Sequence, residues 1–98
     1  MRHATPAVLE LLEPLLAGLR GCEGLREKKR GTFYRGGSAF LHFHEDPAGL
    51  FADVKLAGSD FTRMRASTAA EQRAVLQAVR GALSARSAPP SRAAARRR

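Results

Sequence analysis

His42 and His44 stand one residue apart, and Asp53 follows nine positions after His44. No other residues of the chain are as well suited to chemistry. A strand turns alternate side chains to the same side, so a strand through this region presents both imidazoles on one face. If residue 43 pairs with residue 52 in an antiparallel hairpin, His42 faces Asp53 across the ladder. An adjustment that keeps the same face brings Asp53 opposite His44 instead. Two imidazoles and a carboxylate form a reasonable ligand set for a divalent transition metal such as zinc. The same groups permit a His–Asp acid–base pair. Glu45 is a further candidate, but it points to the opposite face in this register. The competing assignment is structural: histidine and aspartate on a half-covered sheet face can hydrogen-bond to each other and to water. No nucleophile accompanies them. Ser38 falls in a turn, Ser59 in a loop, Cys22 has no neighbouring motif, and His3 is expected to be solvated near the terminus.

The elements that must position these groups lie between Thr32 and Leu56, a stretch with four of the five phenylalanines and the only tyrosine. Gly36-Gly37 separates two runs rich in apolar and aromatic residues and predicts a type I′ hairpin turn. Asp46-Pro47-Ala48-Gly49 is a second turn, with Asp to accept from the backbone, Pro to preset φ and Gly at the exit. Three antiparallel strands follow: Thr32–Arg35, Ser38–Glu45 and Leu50–Leu56. Ala39, Leu41 and Phe43 should share a face with Leu50, Ala52, Val54 and Leu56. Phe40, His42, His44, Phe51, Asp53 and Lys55 then share the other. A bulge at Gly49 would slip the pairing by one residue and set His42 opposite Val54. Burial of the aliphatic set outweighs that turn preference, since each buried Leu or Val contributes roughly 1.5–3 kcal/mol.

Helices are predicted on either side. Thr5-Pro6 reads as an N-cap and first helical position, followed by leucines at helical spacing; Pro14 should kink this helix or divide it in two. Gly21 to Gly31 reads as a basic loop. Phe61 to Arg65 reads as a fourth, edge strand anchored by Phe61 and Met64. Thr68 and Glu71 have the spacing of a capping box and open a helix that should end near Leu83–Arg86. The fold class is therefore α+β, with a kinked N-terminal helix, a three- to four-stranded antiparallel meander and a C-terminal helix on one face. Residues 1–86 form one domain, and residues 87–98 read as a disordered basic tail without any aliphatic side chain larger than Ala.

Charge points to a partner class. Residues 1–84 hold 12 Lys and Arg against 9 Asp and Glu, while residues 85–98 hold five Arg and no acid. Lys28, Lys29 and Arg30, with Arg92, Arg96, Arg97 and Arg98 of the tail, are the candidate contacts to nucleic acid or another polyanion. Phe33-Tyr34-Arg35 interleaves aromatic and basic residues as stacking platforms do, although alternation turns the two rings to opposite faces. The glycines lack the spacing of a nucleotide-binding loop. One cysteine excludes an internal disulfide and fits a reducing cytoplasm. No run approaches the ~20 apolar residues of a membrane span. The sequence thus predicts a cytoplasmic, non-enzymatic binding module with sequence-independent affinity for polyanions. The alternative is a metal- or small-ligand-binding domain built on His42, His44 and Asp53.

The order helix, basic loop, aromatic hairpin, strand and helix also resembles small bacterial domains of the YjbR type and of the TfoX N-terminal type. Leu15-Leu16, Arg30-Gly31-Thr32-Phe33-Tyr34, Gly37, Phe40 and Leu50 to Lys55 carry the resemblance, which spans residues 8–83. It implies a DNA-binding-like fold and a nucleic-acid or regulatory role. Separately, Phe40-Leu41-His42-Phe43-His44 followed by Gly49-Leu50 is similar to the histidine-containing strand of luciferase-like domains, a resemblance that brings no activity with it.

Overall fold

Thr5 begins the first helix as its sequence demands. Its hydroxyl accepts the Val8 N–H at 3.4 Å, and Pro6 occupies the first turn, where no N–H is needed. In the computed structural model, which describes residues 2–87, the chain runs β1 (Arg2–His3), α1 (Pro6–Leu11), α2 (Glu13–Arg20), β2 (Leu25–Lys29) and β3 (Thr32–Arg35). It continues through β4 (Ser38–Asp46), β5 (Gly49–Val54), β6 (Thr62–Arg65) and α3 (Ala69–Ser87). The fold is α+β. Strands β2-β3-β4-β5-β6 form an antiparallel meander in that order, and β1 adds antiparallel to the far end of β4. No helix among the described residues is long and apolar enough to cross a membrane.

Pro14 divides the N-terminal helical segment rather than bending it. Leu12 caps both helices with φ −93° and ψ −1°, and Pro14 lies in the first turn of α2, the one part of a helix that tolerates a missing N–H. At the other end of the domain the capping box forms in both directions: Glu71 N–H to Thr68 Oγ1 at 3.0 Å, and Thr68 N–H to Glu71 Oε1 at 3.1 Å.

The second hairpin has the register that aliphatic burial favours. Leu41 pairs with Val54, His42 with Asp53, Phe43 with Ala52, and Asp46 with Gly49 across a two-residue loop. Asp46 Oδ1 accepts the Ala48 N–H at 2.7 Å, which tightens the turn. At the first hairpin only Gly36 has a positive φ, 61°, the pattern of a type II′ turn in place of the expected type I′.

Three local expectations are corrected. The basic loop from Gly21 to Gly31 contains strand β2, so the meander has five strands instead of three or four. The segment alternates inward Leu25 and Glu27 with outward Arg26, and such charge suits a sheet edge. Phe40 does not join the histidine face. Phe33 pairs with Leu41 and Tyr34 with Ala39, which leaves Phe40 as the extra residue of a bulge; it is 1 % exposed and part of the core. Burying a phenyl ring is worth more than the ladder continuity that the bulge gives up. Phe61 is no core anchor either, being 42 % exposed. Met64 does pack on the core.

The three helices among the described residues cover one face of the sheet. Leu12, Leu15, Leu16 and Leu19 meet Phe33, Phe40, Leu41, Phe43 and Val54 in a single cluster, closed by Val75 and Val79 from α3. Gly31 is required at the β2–β3 turn. Its φ is +83°, and a Cβ there would stand 2.6 Å from Leu9 Cδ2.

Candidate functional site

The face of the sheet opposite the helices carries the chemistry. Strand alternation brings His42 and His44 of β4 onto it, and the β4–β5 pairing sets Asp53 across from His42 and Phe51 across from His44. From β6, Arg63 pairs with Asp53 and Arg65 with Phe51. From β3 and β2 come Tyr34 and Arg26, directly opposed.

Asp53 is the one buried charged residue of the described chain, at 6 % exposure. The guanidinium of Arg63 donates to it in a fork, Nε to Oδ1 at 2.8 Å and Nη2 to Oδ2 at 3.0 Å. This fork holds the Asp53 carboxyl below the usual carboxylate range, against the opposing effect of burial. His44 Nε2 lies 3.2 Å from Asp53 Oδ2 and 2.8 Å from His42 Nδ1. His42 therefore reaches Asp53 through His44. Burial lowers the His42 pKa, and the neighbouring His44 lowers it further, which favours the neutral ring.

The structure adds a residue that the sequence pattern leaves in solvent. His3 of β1 pairs with His44, and its ring centroid lies 4.8 Å from that of His44 and 5.9 Å from that of His42. The side chain is exposed, yet it stands beside the pair and not free at the terminus. A two-residue strand is too short to show a period, so composition alone offered no signal for it. Glu45 is engaged elsewhere, accepting from the Thr5 N–H at 2.8 Å and from Arg2 Nη2 at 3.0 Å.

The basic run splits. Lys28 stands 4.7 Å over the Tyr34 ring. Lys29 is exposed on the edge strand. Arg30 turns to the helices and pairs with Glu10 at 2.9 Å and Glu13 at 2.8 Å. Arg92, Arg96, Arg97 and Arg98 lie outside the described residues. Two further cations sit over rings on the bare face: Lys55 Nζ is 5.1 Å from the Phe61 centroid, and the Arg65 guanidinium 5.2 Å from that of Phe51. Phe61 also meets His42 edge-on at 4.8 Å. The face thus combines half-buried aromatic rings, cations and a compact histidine group.

No protein-family model matches the chain, and neither a curated protein nor a solved structure is significantly similar to it.

Proposed function

We propose that this chain is a small, non-enzymatic binding module that holds single-stranded nucleic acid, or another polyanion, across the bare face of its sheet without sequence preference. The observation that carries the reading is the series of three cation–ring pairs on that face: Lys28 with Tyr34, Lys55 with Phe61 and Arg65 with Phe51. Bases stack on such rings whatever their sequence, while the cations meet the phosphates. Among the described residues no carboxylate lies within ion-pair distance of Lys28 or Lys55, so both charges are available to an anion. The arginines from residue 85 onward add charge without adding rings.

Fluorescence anisotropy of the full chain with labelled oligo-dT and oligo-U, over about 50–200 mM salt, tests this. In Lys28→Ala and in Lys55→Ala the log–log salt slope should become shallower by about 0.7 for each phosphate that is no longer neutralised. Tyr34→Ala should weaken binding by about 1–3 kcal/mol, the usual worth of one stacked base. Binding that disappears with residues 87–98 and ignores Tyr34→Ala would sink the reading.

A metal-binding role for His42, His44 and Asp53 is a second reading. It is favoured by the 2.8 Å approach of His42 Nδ1 to His44 Nε2 and the 3.2 Å approach of Asp53 Oδ2.

A further inference from the structure

We propose that His3, His42 and His44 together bind a divalent transition cation, zinc first among them, and that the cation fastens β1 to the sheet. One donor nitrogen from each imidazole can be chosen so that all three lie within 4.8 Å of one another. Zinc holds imidazole nitrogen at about 2.0–2.1 Å, so two tetrahedral ligands stand about 3.3 Å apart. His42 Nδ1 and His44 Nε2 are already at 2.8 Å, within a small ring rotation of that spacing. His3 has further to come, but its side chain is exposed and its backbone is paired directly to His44.

Protonation chemistry points the same way. Two ring nitrogens 2.8 Å apart have room for one proton between them, whichever tautomer is drawn. A cation in that space uses both lone pairs at once and takes a third from His3. Three imidazoles with an open fourth position suit zinc, nickel and copper, and leave the last position to water. Asp53 serves as the neighbouring anion. The Arg63 fork occupies both its oxygens, and its Oδ2 lies 3.2 Å from His44 Nε2, the nitrogen that would ligate, so its charge rather than a hydrogen bond offsets that of the ion.

Among the described residues, the strand that carries His3 has few other contacts to hold it. β1 is two residues long, joined to β4 by its own ladder, by the Ala4 N–H to Phe43 carbonyl bond at 3.2 Å and by the exposed Arg2–Glu45 pair. A ligand that bridges β1 and β4 therefore favours the docked strand and raises stability with its own concentration.

The test is calorimetric titration of untagged, chelator-stripped full chain with zinc chloride, with cobalt(II) absorption as a second readout and no nucleic acid present. One-to-one binding, a tetrahedral cobalt spectrum and a Tm that climbs with free zinc are expected. His3→Ala, His42→Ala and His44→Ala should each abolish stoichiometric binding. His3→Cys, which supplies a thiolate from the same backbone position, should restore it. Asp53→Asn removes the neighbouring negative charge and should weaken binding with the stoichiometry kept. No zinc binding by the wild-type chain overturns the proposal. So does binding that survives His3→Ala but is abolished by Asp53→Asn, which would assign the third ligand to the carboxylate. Oligonucleotide binding is measured separately and depends on Tyr34 and the lysines, so either reading can fail while the other stands.

Discussion

Leu41, Phe43, Ala52 and Val54 look toward the helices from the same two strands whose intervening residues, His42, His44, Phe51 and Asp53, look away from them. The first set is buried throughout and holds no polar side chain. The second carries an ion pair, a ring beneath a guanidinium and a group of imidazoles. Period-2 alternation lets one hairpin contribute to a core and to a polar surface with no residue shared between them. Stability and binding should then be separable by single substitutions at adjacent positions.

The widest separation is expected at the end of β5. Val54→Asp places an unpaired carboxylate in the core, at a cost that rivals the about 5–15 kcal/mol total stability of a small domain. No cooperative unfolding transition should remain. Lys55→Asp, one residue on, should fold with a Tm close to the parent while losing affinity for oligonucleotides. Two variants that melt alike would break the assignment of faces. β3 offers a milder version of the same contrast. Phe33→Ala should cost about 3–5 kcal/mol in urea unfolding. Tyr34→Ala should cost under about 1 kcal/mol, because its ring is half-exposed and its cation–π contact with Lys28 is worth about 0.5–1 kcal/mol.

Much of this arrangement was legible in the sequence. Asp46-Pro47-Ala48-Gly49 marked the β4–β5 turn, and the aliphatic alternation, against the slip that Gly49 allows, set the register that brings His44 and Asp53 together. Thr5, Thr68 and Glu71 marked helix starts because capping needs only local groups. What escaped depends on distant parts of the chain. The bulge at Phe40 arises from what β3 and the helices leave room for, and alternation within β4 cannot report that. β2 is hidden by its charges, which suit an edge strand and a loop equally well. His3 joins the site through a pairing with residues about forty positions away, a separation at which single-sequence patterns carry no information.

The helix roof over the covered face has a smaller stake in the comparison. Thr68→Ala removes the acceptor for the Glu71 N–H and should lower stability by about 1 kcal/mol, seen as a shifted urea midpoint with unchanged slope. Oligonucleotide binding should not move, since Thr68 lies off the bare face. A change in binding as large as the change in stability would mean that the two faces are coupled through α3.

The smallest effect is expected from acid, at the rim of the covered face. Glu27 is held below its ordinary value of 4.5 chiefly by Arg20 and also by the Gly31 N–H; Glu13 is lowered by Arg20 and then Arg30, and Glu71 by the backbone of Thr68 and Ser67. Because each folded-state pKa lies below the unfolded one, each contact contributes its full stability above the unfolded pKa near 4.5. That contribution is lost as pH falls through the lower folded values. The urea midpoint should thus be unresponsive to these three groups from neutral pH down to about 5 and should drop below that. These pairs are exposed enough to be screened, so added salt should shrink the acid-dependent drop. Glu27→Gln should remove part of it even at low salt. A midpoint that already falls between about pH 7 and pH 6 would instead assign the sensitivity to His42, whose pKa burial lowers in the fold. The bare face would then hold up the fold as well as bind, and the separation between the two faces would fail.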